Sequence, residues 1–346
     1  MDYTIQMNKY DAIIIGAGPA GLEAAYRLAQ LKHSVLLVEK EDKIGGKLRN
    51  MDKLFPDFYP ANDLLAQMMQ HVDNPNITIK TNTTVADLQQ KNGEWIVSAE
   101  KESFYGKSVL IASGYDYFDA CRKEEYGYGI YPDVITSVEL EAMIADKKIE
   151  TLAGKTPQTV AFLQCVGSRD EKVGNHYCSI NCCICAVKQS IEVKELLPDV
   201  EQYCFYMDLR MSGQFYEELY RKAQEEHNVQ FIRGRVSEVA PTFDHRLQIK
   251  AENTLLSRPL KLTADLLVLM IGMEASKTTL QFAEKFDMAN QYGFIISKNR
   301  HLFDNQTQHS GLFVAGTCKR PLTVPKTIKD GAMAATEVSL FLNQNE

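Results

Sequence analysis

No apolar run in this chain of 346 residues approaches the length of a membrane-spanning helix. Its first ten residues, MDYTIQMNKY, have neither the positive start nor the apolar stretch of a secretory signal. A cytoplasmic protein is expected, with no direct membrane span. Basic charge is also scarce: 38 Lys and Arg against 45 Asp and Glu leave a net charge of −7, with no basic stripe to follow a phosphate backbone. Nucleic acid is thereby excluded as a principal partner. The ferredoxin run C-x2-C-x2-C-x3-C is absent throughout. What is present is an ordinary globular composition, 45% apolar and 24% charged, with room for about two domains.

Five of the eight cysteines fall in one stretch, FLQCVGSRDEKVGNHYCSINCCICAVK, residues 162 to 188. Cys165, Cys178, Cys182 and Cys183 are spaced C-x12-C-x3-C-C, and Cys185 follows two residues later. In a reducing cytosol, clustered thiols serve metal binding or catalysis more often than a disulfide framework. Four thiolates suit an iron–sulfur cubane, held by a loop and the start of the next helix. The apolar strand 160–163 runs into Cys165, a polar loop follows, and Cys182 and Cys183 open a helix through Val187 and Ile191. Three other readings use the same residues. Cys182 and Cys185 form a C-x-x-C pair, a dithiol motif if the helix dipole acidifies its first thiol. Structural zinc could take these thiols, although adjacent ligands fit its paired knuckles poorly. Buried cysteines can also be plain core residues.

The first part of the chain carries a dinucleotide fingerprint in its proper setting. The strand Asp11 to Ile15 runs into Gly16-Ala17-Gly18-Pro19-Ala20-Gly21 and then a helix to Leu31. Gly16 permits the turn, Gly18 lets backbone approach a pyrophosphate, and Gly21 lets helix and strand lie close. A second strand, Ser34 to Val38, ends at Glu39, placed to accept ribose hydroxyls. Past Lys40, Gly45 and Gly46 resemble the second glycine pair of FAD enzymes of the glutathione reductase and thioredoxin reductase class. That resemblance selects FAD over NAD. Lys47 and Arg49 either meet phosphate or flavin edge or are surface charges. A helix is expected over 64–71, and strands over 78–81, 84–88 and 95–98 as a small meander. The apolar stretch 109–112 leads to Ser113-Gly114, which resembles the strand end that closes the first lobe in this class.

An aromatic and charged connection, 118–157, contains a helix around 138–145 and tyrosines that pack either on a cofactor or on the loop itself. A second lobe begins at Thr159. Where a pyridine-nucleotide domain would carry another glycine triplet, it has Cys165-Val166-Gly167-Ser168-Arg169, with a single glycine. Such a backbone is a poor NAD(P)H site. Strands are expected over 202–207, 229–232, 247–250 and 266–271. The chain then returns to the first lobe. After the strand 311–315, Gly316-Thr317-Cys318 stands where this class has Gly-Asp, the aspartate bonding the ribitol. Cys318 cannot replace that acceptor well, so backbone or another side chain must. A helix over 326–342 is either an ordinary docking helix or one whose N-terminus near Thr327 faces the flavin. The expected fold is α/β, two Rossmann-like lobes resembling the thioredoxin reductase and glutathione reductase FAD fold. Residues 1–117 with 275–346 form the FAD-binding domain, and 118–274 form a second nucleotide-binding-like lobe bearing the cysteine loop.

Taken together, the fingerprint, FLQCVGSRDEKVGNHYCSINCC and GLFVAGTCKRP resemble the A-subunit family of heterodisulfide reductases, over nearly the whole chain. The resemblance implies that Cys165, Cys178, Cys182 and Cys183 are ligands of a flavin-proximal [4Fe-4S] cluster. It also implies that Lys188 tunes the flavin, where the bare sequence gives a solvated helix lysine. Cys185 and Cys204 are left as core thiols. Methanogen members carry further ferredoxin-type cysteines that are missing here. The reduced form is similar to the A-type relative of heterodisulfide-reductase-like complexes in sulfur-oxidising bacteria, and to the flavin subunit of the quinone-interacting oxidoreductase of sulfate reducers. The sulfur-oxidising version is preferred on length. Its implications are FAD and cluster exchanging electrons, a homodimer, and B and C partner subunits that handle the sulfur species. A stand-alone disulfide reductase using Cys182 and Cys185 is the competing expectation.

Overall fold

The computed structural model describes residues 9–100 and 102–344, and the chain divides into two units. The first comprises residues 1–49, 62–116 and 274–346; the second comprises 50–61 and 117–273.

In the first unit, β1 (Lys9–Ile15) is followed by α1 (Pro19–Gln30), β2 (Val35–Val38), α2 (Ala61–Val72) and β3 (Ile77–Lys80). Then come β4 (Val85–Lys91), β5 (Glu94–Ala99) and the long β6 (Ser103–Ile111). The sheet order is β3-β2-β1-β6-β5-β4, parallel from β3 to β6 and antiparallel from there on. The meander expected over 78–98 is thus only partly present. Residues 77–80 pair in parallel with β2 instead, register Val35 to Ile77. Alternation identifies a strand but not its partner.

The second unit holds β7 (Val134–Thr136), α3 (Ser137–Ala145), β8 (Thr159–Val166), α4 (Cys182–Leu196), β9 (Glu201–Tyr206), α5 (Tyr216–Glu225) and β10 (Gln230–Arg233). After these come β11 (Val236–Pro241), β12 (Leu247–Asn253), β13 (Arg258–Ala264) and β14 (Leu266–Ile271). Its main sheet runs β7-β14-β8-β9-β10, all parallel, and β11-β12-β13 form a separate antiparallel sheet. Strands β8 and β14 read as continuous apolar runs because helices and the small sheet cover both faces. Thr136 and Glu139 close a capping box at the start of α3.

The first unit is completed by α6 (Lys277–Lys285), β15 (Leu312–Val314) and α7 (Val324–Gln344). Strand β6 has room for two neighbours on one side because of its length: residues 103–106 pair with β5, and Val109–Ile111 pair with β15. Helix α7 lies against the start of α1 so closely that a Cβ on Gly331 would sit 2.3 Å from the Ala20 carbonyl oxygen. His33, in the turn after α1, and Ser339 of α7 are 2.8 Å apart and buried. Among the described residues no helix is long and apolar enough to cross a membrane.

Candidate functional site

The glycine turn sits at the carboxyl end of β1. Gly16 has φ +105°, and a Cβ there would lie 2.4 Å from the Ala112 carbonyl oxygen. Gly21 approaches even closer, its notional Cβ 1.9 Å from the Gly16 oxygen. Gly18 differs, for a Cβ there would meet nothing within 4 Å. No side chain caps the N-terminus of α1 and no acid stands in its first turn. Its leading N–H groups and positive end are therefore open to an anion, which is the fit a dinucleotide pyrophosphate requires. Gly46 stands over this opening, its notional Cβ 3.0 Å from the Gly18 Cα.

Glu39 is 7% exposed and fixed from both sides: the Ala17 N–H donates to Oε2 at 2.8 Å and the Glu41 N–H to Oε1 at 3.1 Å. Each oxygen keeps a lone pair for a ribose hydroxyl. Lys40 is a half-exposed surface charge 3.8 Å from Glu41. Lys47 is more enclosed; its ammonium stands 5.2 Å from the centre of the Tyr115 ring, and burial lowers its pKa against the pull of Asp116.

The end of β6 is clasped by the cap of α6. Ser113 and Thr279 hydroxyls are 2.8 Å apart, Ser276 Oγ donates to the Ser113 carbonyl at 3.1 Å, and Thr279 Oγ1 donates to the Gly114 carbonyl at 3.2 Å. On the other side Gly316 meets Ala20 and Thr327: a Cβ on Gly316 would lie 2.9 Å from the Ala20 Cβ and 3.4 Å from the Thr327 Cγ2. Cys318 is fully buried and turned into the core, donating to the Ala315 and Ile111 carbonyls at 3.1 and 3.4 Å. Its thiol is thus engaged by core carbonyls and is not offered at the turn. Thr317 follows the glycine, and its Oγ1 lies 3.9 Å from where a Gly114 Cβ would be.

Sequence reasoning passed over the group that holds this turn. Asp330 accepts the Gly316 N–H at 2.6 Å through one oxygen and Lys319 Nζ at 2.8 Å through the other. Lys319 Nζ also donates to the Asp304 carboxylate at 2.9 Å, and Arg320 pairs with the same carboxylate. Burial would raise the Asp304 pKa, but these two cations overcome it and hold it at about 2. The one sequence signal was Asp330 immediately before Gly331 in a small-residue helix.

In the second unit, β8 ends in a register shift between Leu163 and Val166, and Cys165 adopts φ +61° there. Such a bulge re-aims a side chain. Arg169 and Ile180 also have positive φ, so the loop is bent at several non-glycine residues. Local bonds hold it: Ser179 N–H to Ser168 Oγ at 2.9 Å, Asn175 Nδ2 to the Gly167 carbonyl at 3.0 Å, and Arg169 N–H to the Tyr177 carbonyl at 2.9 Å. Gly167 is covered, since a Cβ there would fall 2.0 Å from the Phe118 ring, itself 2% exposed. The space a pyrophosphate would need beside this turn is filled by that ring.

Two sulfurs, one in this loop and one in the first turn of α4, receive backbone donors. Ile180 N–H points to Cys178 Sγ at 3.3 Å and Arg210 N–H to Cys183 Sγ at 3.4 Å. Burial pushes the Cys165 thiol up to about 12, helped by Cys183 and Cys178 and opposed by Arg169. Burial raises Cys182 well above its usual value, with Cys165 and Cys183 the next causes. Arg169 fixes Nη2 on Asp208 at 2.6 Å, while its buried Nη1 has no hydrogen-bond partner. Among the described residues no three His, Cys, Asp or Glu side chains are gathered as a site for a single metal ion. Thiols that feel one another's charge, amide donors on two sulfurs and an unsatisfied guanidinium nitrogen would suit an anionic, sulfur-ligated centre. The dithiol reading fits less well, because the helix start does not acidify Cys182 and burial sends Cys185 up to about 12. Cys204 is a core thiol, accepting from Gln164 Nε2 at 3.2 Å.

Lys188 is 3% exposed, in place of the solvated lysine that the bare sequence gives. Its ammonium donates to Glu141 Oε1 at 2.6 Å and the Lys53 carbonyl at 2.9 Å, with Glu192 Oε2 at 3.1 Å. Tyr126, Tyr128 and Tyr131 of the aromatic connection pack on the unit's own core.

Residues 10–119 match the family described as "Pyridine nucleotide-disulphide oxidoreductase". The fold is that of the thioredoxin reductases. The Lactococcus lactis enzyme superposes with a TM-score of 0.69 at 18% identity, covering 97% of this chain and 99% of that one. The T. acidophilum thioredoxin reductase gives 0.67 at 18%, covering 98% and 100%. In sequence, the chain is 31% identical to the A subunit of the Methanosarcina acetivorans ferredoxin/F(420)H(2)-dependent CoB-CoM heterodisulfide reductase, over 97% of its own length and 54% of the relative. It is also 31% identical to the iron-sulfur A subunit of the Methanocaldococcus jannaschii CoB--CoM heterodisulfide reductase, over 96% and 64%. The chain thus spans between half and two thirds of these relatives. The first alignment extends over 425 positions, more than the 346 residues of this chain, so the relative has internal segments with no counterpart here.

Proposed function

We propose that this chain is an oxidoreductase of the kind formed by heterodisulfide reductase A subunits, binding FAD in its first unit and a [4Fe-4S] cluster in its second and passing electrons between them. The observation that carries the reading is the carboxyl end of β8. The glycine turn of the first unit has there a counterpart closed by Phe118, with backbone N–H groups directed at cysteine sulfurs. A lobe built this way is suited to a sulfur-ligated centre and not to a pyridine nucleotide.

The flavin supplies exchange between two-electron and one-electron chemistry. The chain's own residues bind and orient it: Gly16, Gly18, Pro19, Ala20 and Gly21 form the pyrophosphate turn, and Glu39 receives the ribose. Lys40, Gly46 and Lys47 flank that turn, while Ser113, Gly114, Gly316, Thr317 and Thr327 line the far side. Cys165, Cys178, Cys182 and Cys183 would hold the cluster. Lys188, its proton secured by Glu141 and Glu192, keeps a positive charge in the second unit and is the flavin-tuning residue of this reading.

The finer assignment is the short flavin subunit of a sulfur-oxidising heterodisulfide-reductase-like complex, cytoplasmic, homodimeric and working with cysteine-rich B and C subunits. The internal segments that the methanogen relative has and this chain lacks support a reduced form. The test is anaerobic purification with iron, acid-labile sulfide and flavin analysis. About four iron and four sulfide per FAD are expected. Cys178→Ser should lose iron and keep flavin; full iron in that variant removes Cys178 from the ligand set, and flavin without any iron in the parent sinks the cluster reading.

A further inference from the structure

Arg169 stands apart from the other cations of the second unit. It lies four residues after Cys165 in the bent loop, with φ +55°. Asp208 holds Nη2 at 2.6 Å, and the segment carrying Asp208 also grips the cysteines, its carbonyl accepting from Cys183 Sγ at 3.6 Å and its Arg210 N–H donating to the same sulfur. The side chain is therefore pinned at one nitrogen by a residue tied to the cysteine site. Its other terminal nitrogen, Nη1, is buried and makes no hydrogen bond of good geometry, while the guanidinium stands close enough to the Cys165 thiol to pull its pKa down. A buried guanidinium N–H left unmade is costly, which calls for a partner in the working protein. Arg169 and Cys165 line the same small cleft, together with Gln164, Tyr206 and Met207.

We propose that Arg169 is the charge-compensating, positioning residue of the cysteine site: with Nη2 locked on Asp208, Nη1 donates to a sulfur of the bound cluster and raises its reduction potential. The inference rests on the cluster reading above. Hydrogen bonds to the sulfurs and net local charge are the protein's main levers on such a potential. When the cluster gains one electron its negative charge grows by one, and the fixed guanidinium, which stays protonated, favours that state. No proton moves in the step, and the electron comes from the reduced flavin, or from dithionite in the assay.

The test is a redox titration of the full-length protein, followed by paramagnetic resonance of the reduced cluster, with iron and sulfide counted in each sample. In Arg169→Gln, at parental iron content, the reduced cluster should be disfavoured at least tenfold, which for one electron is about 59 mV towards negative potential. Arg169→Lys should fall between, because a compact ammonium keeps the charge but cannot serve Asp208 and a sulfur at once. A parental potential in Arg169→Gln overturns the assignment. If that variant cannot retain iron, Arg169→Lys decides: an intermediate potential supports the role and a parental one ends it. A parent protein without iron fails earlier, at the cluster reading, and is told apart by the metal analysis alone.

Discussion

At the level of single residues, two glycines of one turn should respond to substitution in opposite ways. Gly18 has open space where a side chain would go, and its φ of −77° suits any residue. Gly18→Val should cost less than about 1 kcal/mol of stability, the scale of an altered helix cap, yet abolish flavin retention. Gly21→Ala should cost about 2–3 kcal/mol by forcing the helix off the turn, because its Cβ has no room beside the Gly16 oxygen. Thermal unfolding and flavin absorbance on both variants check the pair; flavin retained at full occupancy by Gly18→Val would refute the pyrophosphate assignment. Glu192 gives a second case. It is 1% exposed, with Lys188 at 3.1 Å and Lys53 at 3.8 Å, and Glu141 competes for the same Lys188 ammonium. Burial raises its pKa from 4.5 to about 7 against the pull of Lys188. Between those values the folded protein keeps the proton that the unfolded chain releases, so this residue's contribution falls as pH rises through the window. Glu192→Gln should flatten that dependence and gain stability on the order of 3 kcal/mol at pH 7 and above. Denaturant unfolding at pH 5 and pH 8 measures it, and an unchanged slope counts against it.

At the level of elements, legibility in the sequence followed the kind of constraint. The turn at Gly16 and the run of β8 were readable because close backbone approach admits one residue type and a doubly covered strand admits only apolar ones. The start of α4 is a local pattern of the same sort, whereas the capping box of α3 went unread although its helix did not. Partners were another matter. A strand was readable over 78–81, one residue from the observed 77–80, but its place beside β2 depends on the path of α2, which no short pattern records. The ion pairs Lys188–Glu141 and Arg169–Asp208 join residues 47 and 39 positions apart. A charge destined for burial looks the same in a sequence as one destined for water, so Arg169 and Glu192 gave no sign of their roles, and Asp330 only the hint of its place before Gly331. The helix α5 and the strands β11 and β13 also went unread. In α5 charged residues outnumber apolar ones, and in β13 only Ala264 is fully buried, so the pattern was weak.

For the whole molecule, the division of the first unit into separate pieces of chain sets an order of events during synthesis. Strand β6 waits for β15, whose Leu312 pairs with Val109 some two hundred residues earlier, and the turn at Gly316 and helix α7 come later still. Pairings of such long range form late, because the loop between them must close first. The cysteine-bearing unit lies wholly upstream of β15 and can finish its own sheet while the ribosome is still translating the last pieces. A chain halted at residue 300 should accordingly take up iron and sulfide but no flavin, measured on the anaerobically isolated fragment; flavin in that fragment, or iron missing from it, would contradict the order. On the proposed reading, the growing polypeptide would assemble its metal centre first, and the flavin would act as the seal on the finished fold.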